Sequence, residues 1–206
     1  MTETALAALV QEVLRCYACE GMAHCHTLGA SNGPADARVL FAGEAPGRFG
    51  AGRSGVPFQG DESGKRFESL LGLAGLRRED VFVTNAVLCN PLDASGRNRR
   101  PKASEVERCG RFLRRQVEVI DPGLVVALGG VALDALGRIE PHGLSLRDGC
   151  AQPAAWCGRT LVAVYHPGRR ALVHRSEALQ QQDWRELGAL ARRLTTEPSR
   201  RPLLPA

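Results

Sequence analysis

The chain has 206 residues, 44% hydrophobic and 24% charged, with a formal net charge of +5. That balance fits one soluble globular core and excludes a low-complexity chain. No apolar run approaches the ~20 residues of a membrane-spanning helix. The seven cysteines are an odd number, in a chain without a basic-then-apolar leader, so a secreted disulfide framework is not expected.

Residues 3–15 read as an amphipathic helix, with Ala5, Leu6, Leu9, Val10, Val13 and Leu14 on one face. Cys16-Tyr-Ala-Cys19 follows at once. Residues 20–37 read as a polar connection. A short apolar strand, 38–42, breaks at Gly43 into a Gly-rich loop of about 20 residues that ends near Ser63. A loop of that length in a compact domain points to function or disorder, and Phe49 and Phe58 inside it favour function. A helix follows over 63–75, with Phe67, Leu70, Leu71 and Ala74 at helical spacing, and then a strand over 81–87.

The loop 88–103 is locally basic. Ser104 and Glu107 have the spacing of a capping box, opening a helix that Asp121-Pro122 stops. A strand at 124–128 leads into a short helix ending at Leu136. Residues 138–158 read as an irregular hairpin, 161–165 as a fourth strand, and 176–194 as the last helix. Strands alternating with helices predict a three-layer α/β/α sandwich around a mostly parallel four-stranded sheet. The expected organisation is one domain over 1–194 and a flexible tail over 195–206.

Sites in such folds lie beyond the carboxyl ends of the strands, where Gly43, Asn85, Gly129 and His166 fall. Asn85 offers a donor and an acceptor that suit a base edge; a strand-end turn would also use it. His166 is a candidate donor to a developing oxyanion. Glu44 and Asp61, at the two ends of the Gly-rich loop, are candidate water-activating carboxylates, or else capping and turn residues. Phe58 suits stacking on a flat ligand, or plugging the core. Cys16 and Cys19, with Cys89 and Cys109 bracketing the basic loop, form a candidate four-thiolate site for zinc or an iron–sulfur cluster. Cys25 is a possible substitute ligand; Cys150 and Cys157 read as packed thiols. Arg99 and Arg100 in the first basic segment, and Arg169 and Arg170 in the second, are candidate phosphate contacts, with Leu172 as a wedge into a base stack.

These motifs in this order resemble the iron–sulfur uracil-DNA glycosylases of families 4 and 5. The resemblance rests on the cysteine pair, G-E-A-P-G at 43–47, G-V-P-F at 55–58, T-N-A-V at 84–87, Cys89 and Cys109, A-L-G-G-V-A at 127–132 and Y-H-P at 165–167. It implies a glycosylase of base excision repair. Gly43, Ala45 and Phe58 would lie against a flipped uracil, Asn85 would read its Watson–Crick edge, and His166 would stabilise the departing anion. Cys16, Cys19, Cys89 and Cys109 would hold a structural [4Fe–4S] cluster. The water-activating residue would be Asp61 or Glu44, with Asp61 slightly preferred. The loop has the length seen in family 5, whereas Glu44 and Pro167 follow family 4. The implied partner is uracil-containing DNA, single- or double-stranded, for a cytoplasmic monomer of the bacterial cytosol or nucleoid with no membrane association. Excision of hypoxanthine or xanthine, and non-catalytic DNA binding by an iron–sulfur protein, are the alternatives.

Overall fold

The structure, a computed structural model, describes residues 2–195. In chain order its elements are α1 (Thr2–Leu14), β1 (Met22–Ala23), β2 (Val39–Gly43), α2 (Ala51–Ser54), α3 (Glu62–Leu73), β3 (Val81–Asn85), β4 (Asn90–Pro91), α4 (Ala103–Ile120), β5 (Leu124–Leu128), α5 (Gly130–Gly137), β6 (Pro153–Trp156), β7 (Arg159–Val164) and α6 (Glu177–Thr195). The tail expected over 195–206 lies outside the described residues, apart from Thr195, which closes α6. Among the described residues no helix is long and apolar enough to cross a membrane.

Strands covered on both faces must be apolar throughout, because successive side chains point to opposite sides. β2 shows this directly. Leu40 and Ala42 face a layer formed by α1, α4 and α5, together with Phe82, Val125, Ala127, Leu161 and Ala163. Val39 and Phe41 face the layer of α3 and α6, together with Val83, Val126 and Val162. On that side the Phe41 ring stacks on Trp184 at 5.5 Å and meets Phe67 edge-on at 5.5 Å.

The central sheet runs β3-β2-β5-β7-β6, with the first four strands parallel and β6 antiparallel to β7. The chain leaves β2 for β3 on one side and returns to β5 on the other, so the strand order reverses beside β2. Crevices at such reversals are where parallel sheets bind ligands.

Two expectations need correction. The sheet has five strands rather than four. The added edge strand, β6, comes from the 138–158 segment; its sequence Pro-Ala-Ala-Trp lacks the β-branched run that marks a strand. The capping box is also displaced. Ser104 sits inside α4, whose N-cap is Lys102, and it is Glu105 that reaches back to accept from the Lys102 N–H at 2.7 Å. Glu105 also takes the Arg99 guanidinium through two hydrogen bonds of 2.6 and 2.8 Å.

The connection 20–37 holds more structure than its composition suggested. β1 pairs antiparallel with β4, Met22 opposite Pro91 and Ala23 opposite Asn90. This two-stranded ribbon draws the end of α1 to the start of the basic loop.

Candidate active site

The parallel register places Gly43 opposite Asn85 at the ends of β2 and β3. Two strands away, β7 ends at Val164, and Tyr165 and His166 continue past it. The three strand ends open into one cleft of about 560 Å³. Glu44, Ala45, Phe58, Asp61, Asn85 and His166 line it, together with Arg99, Arg169 and Arg170.

The close approach of these groups depends on Gly43 having no side chain. A Cβ there would stand 2.6 Å from Asn85 Oδ1 and 2.8 Å from the Phe58 ring. Phe58 itself has φ of 56°, a left-handed conformation that is rare and strained for a bulky residue. It stacks on Phe67 at 4.7 Å and lies 5.6 Å from the His166 ring. Asn85 is buried, and no hydrogen bond holds its side-chain amide among the described residues.

The Gly168 N–H donates to His166 Nδ1 at 2.9 Å. In the neutral ring this bond puts the proton on Nε2. Burial lowers the His166 pKa to about 4, against an opposing pull from the Asp61 carboxylate. At neutral pH the ring is therefore uncharged, with one N–H to donate. The segment carrying it is fixed from α3: Arg66 donates to Pro167 O at 2.8 Å and pairs with Glu177 at 3.0 Å.

The two candidate carboxylates differ. Asp61 is the N-cap of α3, where its Oδ1 accepts from the Gly64 N–H at 2.9 Å. Its Oδ2 faces Gly50, where a Cβ would stand 2.4 Å away. Glu44 makes no side-chain hydrogen bond among the described residues. Burial raises its pKa, partly offset by Arg100.

The basic residues separate in the same way. Arg169 and Arg170 are exposed on the cleft wall, in a 3-10 turn over Arg169–Val173. Arg99 is only 20% exposed and is occupied by Glu105. Arg100 lies outside the cleft lining, 3.8 Å from Asp134. Leu172 is half-buried, while its neighbour Val173 is 81% exposed.

Cys16, Cys19, Cys89 and Cys109 line a second, largely apolar cavity of about 30 Å³ with Met22, Val87 and Phe112. The Leu88 N–H donates to Cys109 Sγ at 3.4 Å, and Arg111 Nη2 lies 3.9 Å from Cys16 Sγ. Burial pushes the Cys89 thiol up to about 11 and the Cys109 thiol up to about 12, so a bound cation would be needed to hold them as thiolates at neutral pH. The Cys25 thiol instead donates to Leu88 O at 3.8 Å. Cys150 and Cys157 are engaged with Asp183 and Glu140.

Four polar residues outside every sequence motif also help to build the two sites. Asn90 donates to Pro46 O at 2.6 Å and to Asn98 Oδ1 at 3.1 Å, and Asn98 Oδ1 also accepts from the Arg48 N–H at 3.0 Å. These bonds tie the Gly-rich loop to the basic loop; the adjacency of Asn90 to Cys89 was their only sequence signal. His24 and His26 stand beside the cysteine cavity. Their ring nitrogens and Cys89 Sγ offer three ligand atoms within 4.8 Å of one another. His26 Nε2 is already within 2.8 Å of Cys16 O, so the four thiols are the more complete donor set.

The profile of the uracil DNA glycosylase superfamily matches residues 30–188. The chain is 34% identical over 168 residues to a type-4 uracil-DNA glycosylase of Thermotoga maritima, covering 81% of this chain and 83% of that protein. It is 33% identical over 189 residues to a type-4 uracil-DNA glycosylase of Archaeoglobus fulgidus, covering 88% and 91%. To a type-5 uracil-DNA glycosylase of Thermus thermophilus it is 34% identical over 156 residues, covering 67% and 68%. With the profile spanning most of the chain and the sheet carrying its polar residues to one cleft, the chain belongs to the uracil DNA glycosylase superfamily.

Proposed function

We propose that the protein is a monofunctional DNA glycosylase that hydrolyses the N-glycosidic bond of uracil in DNA and leaves an abasic site. The observation that carries this is the convergence of an unpartnered Asn85 amide and a neutral His166 on the Phe58 ring. A flipped uracil would lie against Phe58. Asn85 Oδ1 would accept from N3–H and its Nδ2 would donate to O4. Cytosine presents the reverse pattern and would leave both groups unpaired, the strongest kind of discrimination a buried polar site offers.

Bond cleavage moves charge onto the base while the sugar becomes oxocarbenium-like. His166 Nε2–H would donate to uracil O2 as that charge develops; such pre-aimed donors make the largest contribution to sites of this kind. A water then adds at C1′. Glu44 is the better base for it, being unpaired and raised in pKa, while Asp61 caps α3 and holds its free oxygen toward the loop. Arg169 and Arg170 would take phosphates, with Leu172 and Val173 on the same turn to fill the vacated stack. The DNA partner is single- or double-stranded, and the enzyme acts as a monomer in the cytosol.

Cys16, Cys19, Cys89 and Cys109 fit a [4Fe–4S] cluster: four soft donors around one apolar cavity, with imidazoles at its edge. Its contribution would be structural, fixing α1, β4 and α4 beside the DNA-facing loops. Purified protein should carry iron and acid-labile sulfide; stoichiometric zinc in colourless protein would contradict the cluster.

The function is tested with oligonucleotides bearing uracil, hypoxanthine or xanthine, single- and double-stranded, scoring alkali-labile abasic sites. Uracil should be excised fastest. Preferential release of a purine would reassign the substrate, and binding without excision of any base would reduce the protein to a DNA-binding module.

A further inference from the structure

Phe49 is 64% exposed, on the loop that forms one wall of the cleft. The backbone beneath it is tied on several sides. The N–H groups of Gly50 and Gly52 donate to Gly47 O at 3.1 and 2.9 Å. The Arg48 N–H is held by Asn98, and Arg48 Nη1 donates to Gly96 O at 2.5 Å. So anchored, the Arg48 guanidinium lies over the Phe49 ring, 4.4 Å from its centroid. The ring is thus fixed rather than loose, and it is presented rather than packed. Gly47 and Ala51, two residues to either side of it, line the cleft, which puts Phe49 on the chain segment that borders it.

A fixed aromatic face beside a cation matches one partner on a strand entering that cleft: a nucleobase with an adjoining phosphate. Extruding one nucleotide leaves the neighbouring base with an uncovered face, and aromatic side chains take such faces with little regard to base identity. We propose that Phe49, capped by Arg48, stacks on the base adjacent to the flipped nucleotide and so grips the damaged strand at the cleft. This rests on the glycosylase reading above, but its test does not need excision.

The probe is a short single-stranded oligonucleotide with a tetrahydrofuran abasic analogue at the lesion and 2-aminopurine as the 5′ or the 3′ neighbour. Wild-type protein should bind it and change the 2-aminopurine fluorescence on one side. Phe49→Ala should weaken binding by roughly 5- to 150-fold, the range expected for losing one base–aromatic stack, and abolish the fluorescence change. Phe49→Trp should restore affinity and show quenched tryptophan emission on binding. Unchanged affinity in Phe49→Ala, with wild-type uracil excision intact, would overturn the stacking role and leave the glycosylase reading standing. A dimer in the wild type that Phe49→Ala dissociates would also overturn it, by assigning the ring to a second copy. Wild-type protein that neither binds the probe nor excises uracil would overturn both.

Discussion

The cleft and the cysteine cavity are built on opposite principles. The cleft is open, about 560 Å³, and keeps polar groups without partners at the ends of strands whose register is fixed by the sheet. The cysteine cavity is about 30 Å³, apolar, and assembled from a helix end, a two-residue ribbon and a second helix. Unpaired polar groups are costly and persist where a substrate will complete them. Soft thiols need the reverse, a shielded pocket that a metal fills. The two regions meet at adjacent residues: Cys89 faces one, while Asn90 reaches Pro46 and Asn98 at the edge of the other. The two regions are thus joined through consecutive residues of the chain.

That contrast is broken most severely by crowding the cleft. Gly43→Ala should cut uracil excision by roughly 10²-fold or more, the scale of a misplacement near 1 Å, and by more than any accompanying loss of folded fraction, because the added methyl meets Asn85 and Phe58, the latter packed on Phe67. Wild-type turnover in this variant would show that the close approach of those residues is unimportant. Cys109→Ser should do the converse. Metal content and melting temperature should fall together, and the excision lost should follow the lost folded fraction; loss of activity at full stability would place the cysteine site in the chemistry.

The pH dependence gives a smaller, sharper separation. With Glu44 as base and its pKa raised by burial, the acid limb of kcat/KM should lie above the ordinary carboxylate range. Glu44→Gln should slow turnover and remove that limb; if instead Asp61→Asn moves it and Glu44→Gln does not, the base is Asp61. His166 gives a stability signature of known sign. Its pKa is about 4 in the fold against an ordinary 6.5, so the unfolded chain binds more protons between those values. The stability it contributes is fully present above pH 6.5 and is lost as pH falls toward 4. His166→Gln should flatten that part of the melting-temperature profile. The smallest effect expected is from Asn98→Ala, about 1 kcal/mol for the hydrogen bonds it removes, measured by denaturant unfolding.

Much of the cleft was legible because its residues sit at breaks between apolar strands and polar loops. Gly43, Asn85 and His166 were each placed by the end of a strand, and the parallel sheet did the rest. What was not legible came from contacts between segments far apart in the chain. Asn90 and Asn98 read as ordinary loop residues until the Gly-rich loop lies against them. β1 is two residues long and pairs with another two-residue segment, too short for any periodicity. β6 lacks β-branched residues and exists because β7 offers it an edge. Arg99 carries the charge of a phosphate contact, yet Glu105, in the first turn of α4, claims its guanidinium; composition alone does not distinguish a free arginine from a paired one.

The most direct test is single-turnover excision from uracil-containing single-stranded DNA by wild-type protein, His166→Ala and Asn85→Ala. The wild type should release uracil and leave an alkali-labile site, and each substitution should slow release by roughly 10²- to 10³-fold, the loss expected for a donor aimed at developing charge, with folding unaltered. Wild-type protein that releases no uracil, or variants that release it at the wild-type rate, would contradict a uracil pocket built by Asn85, His166 and Phe58.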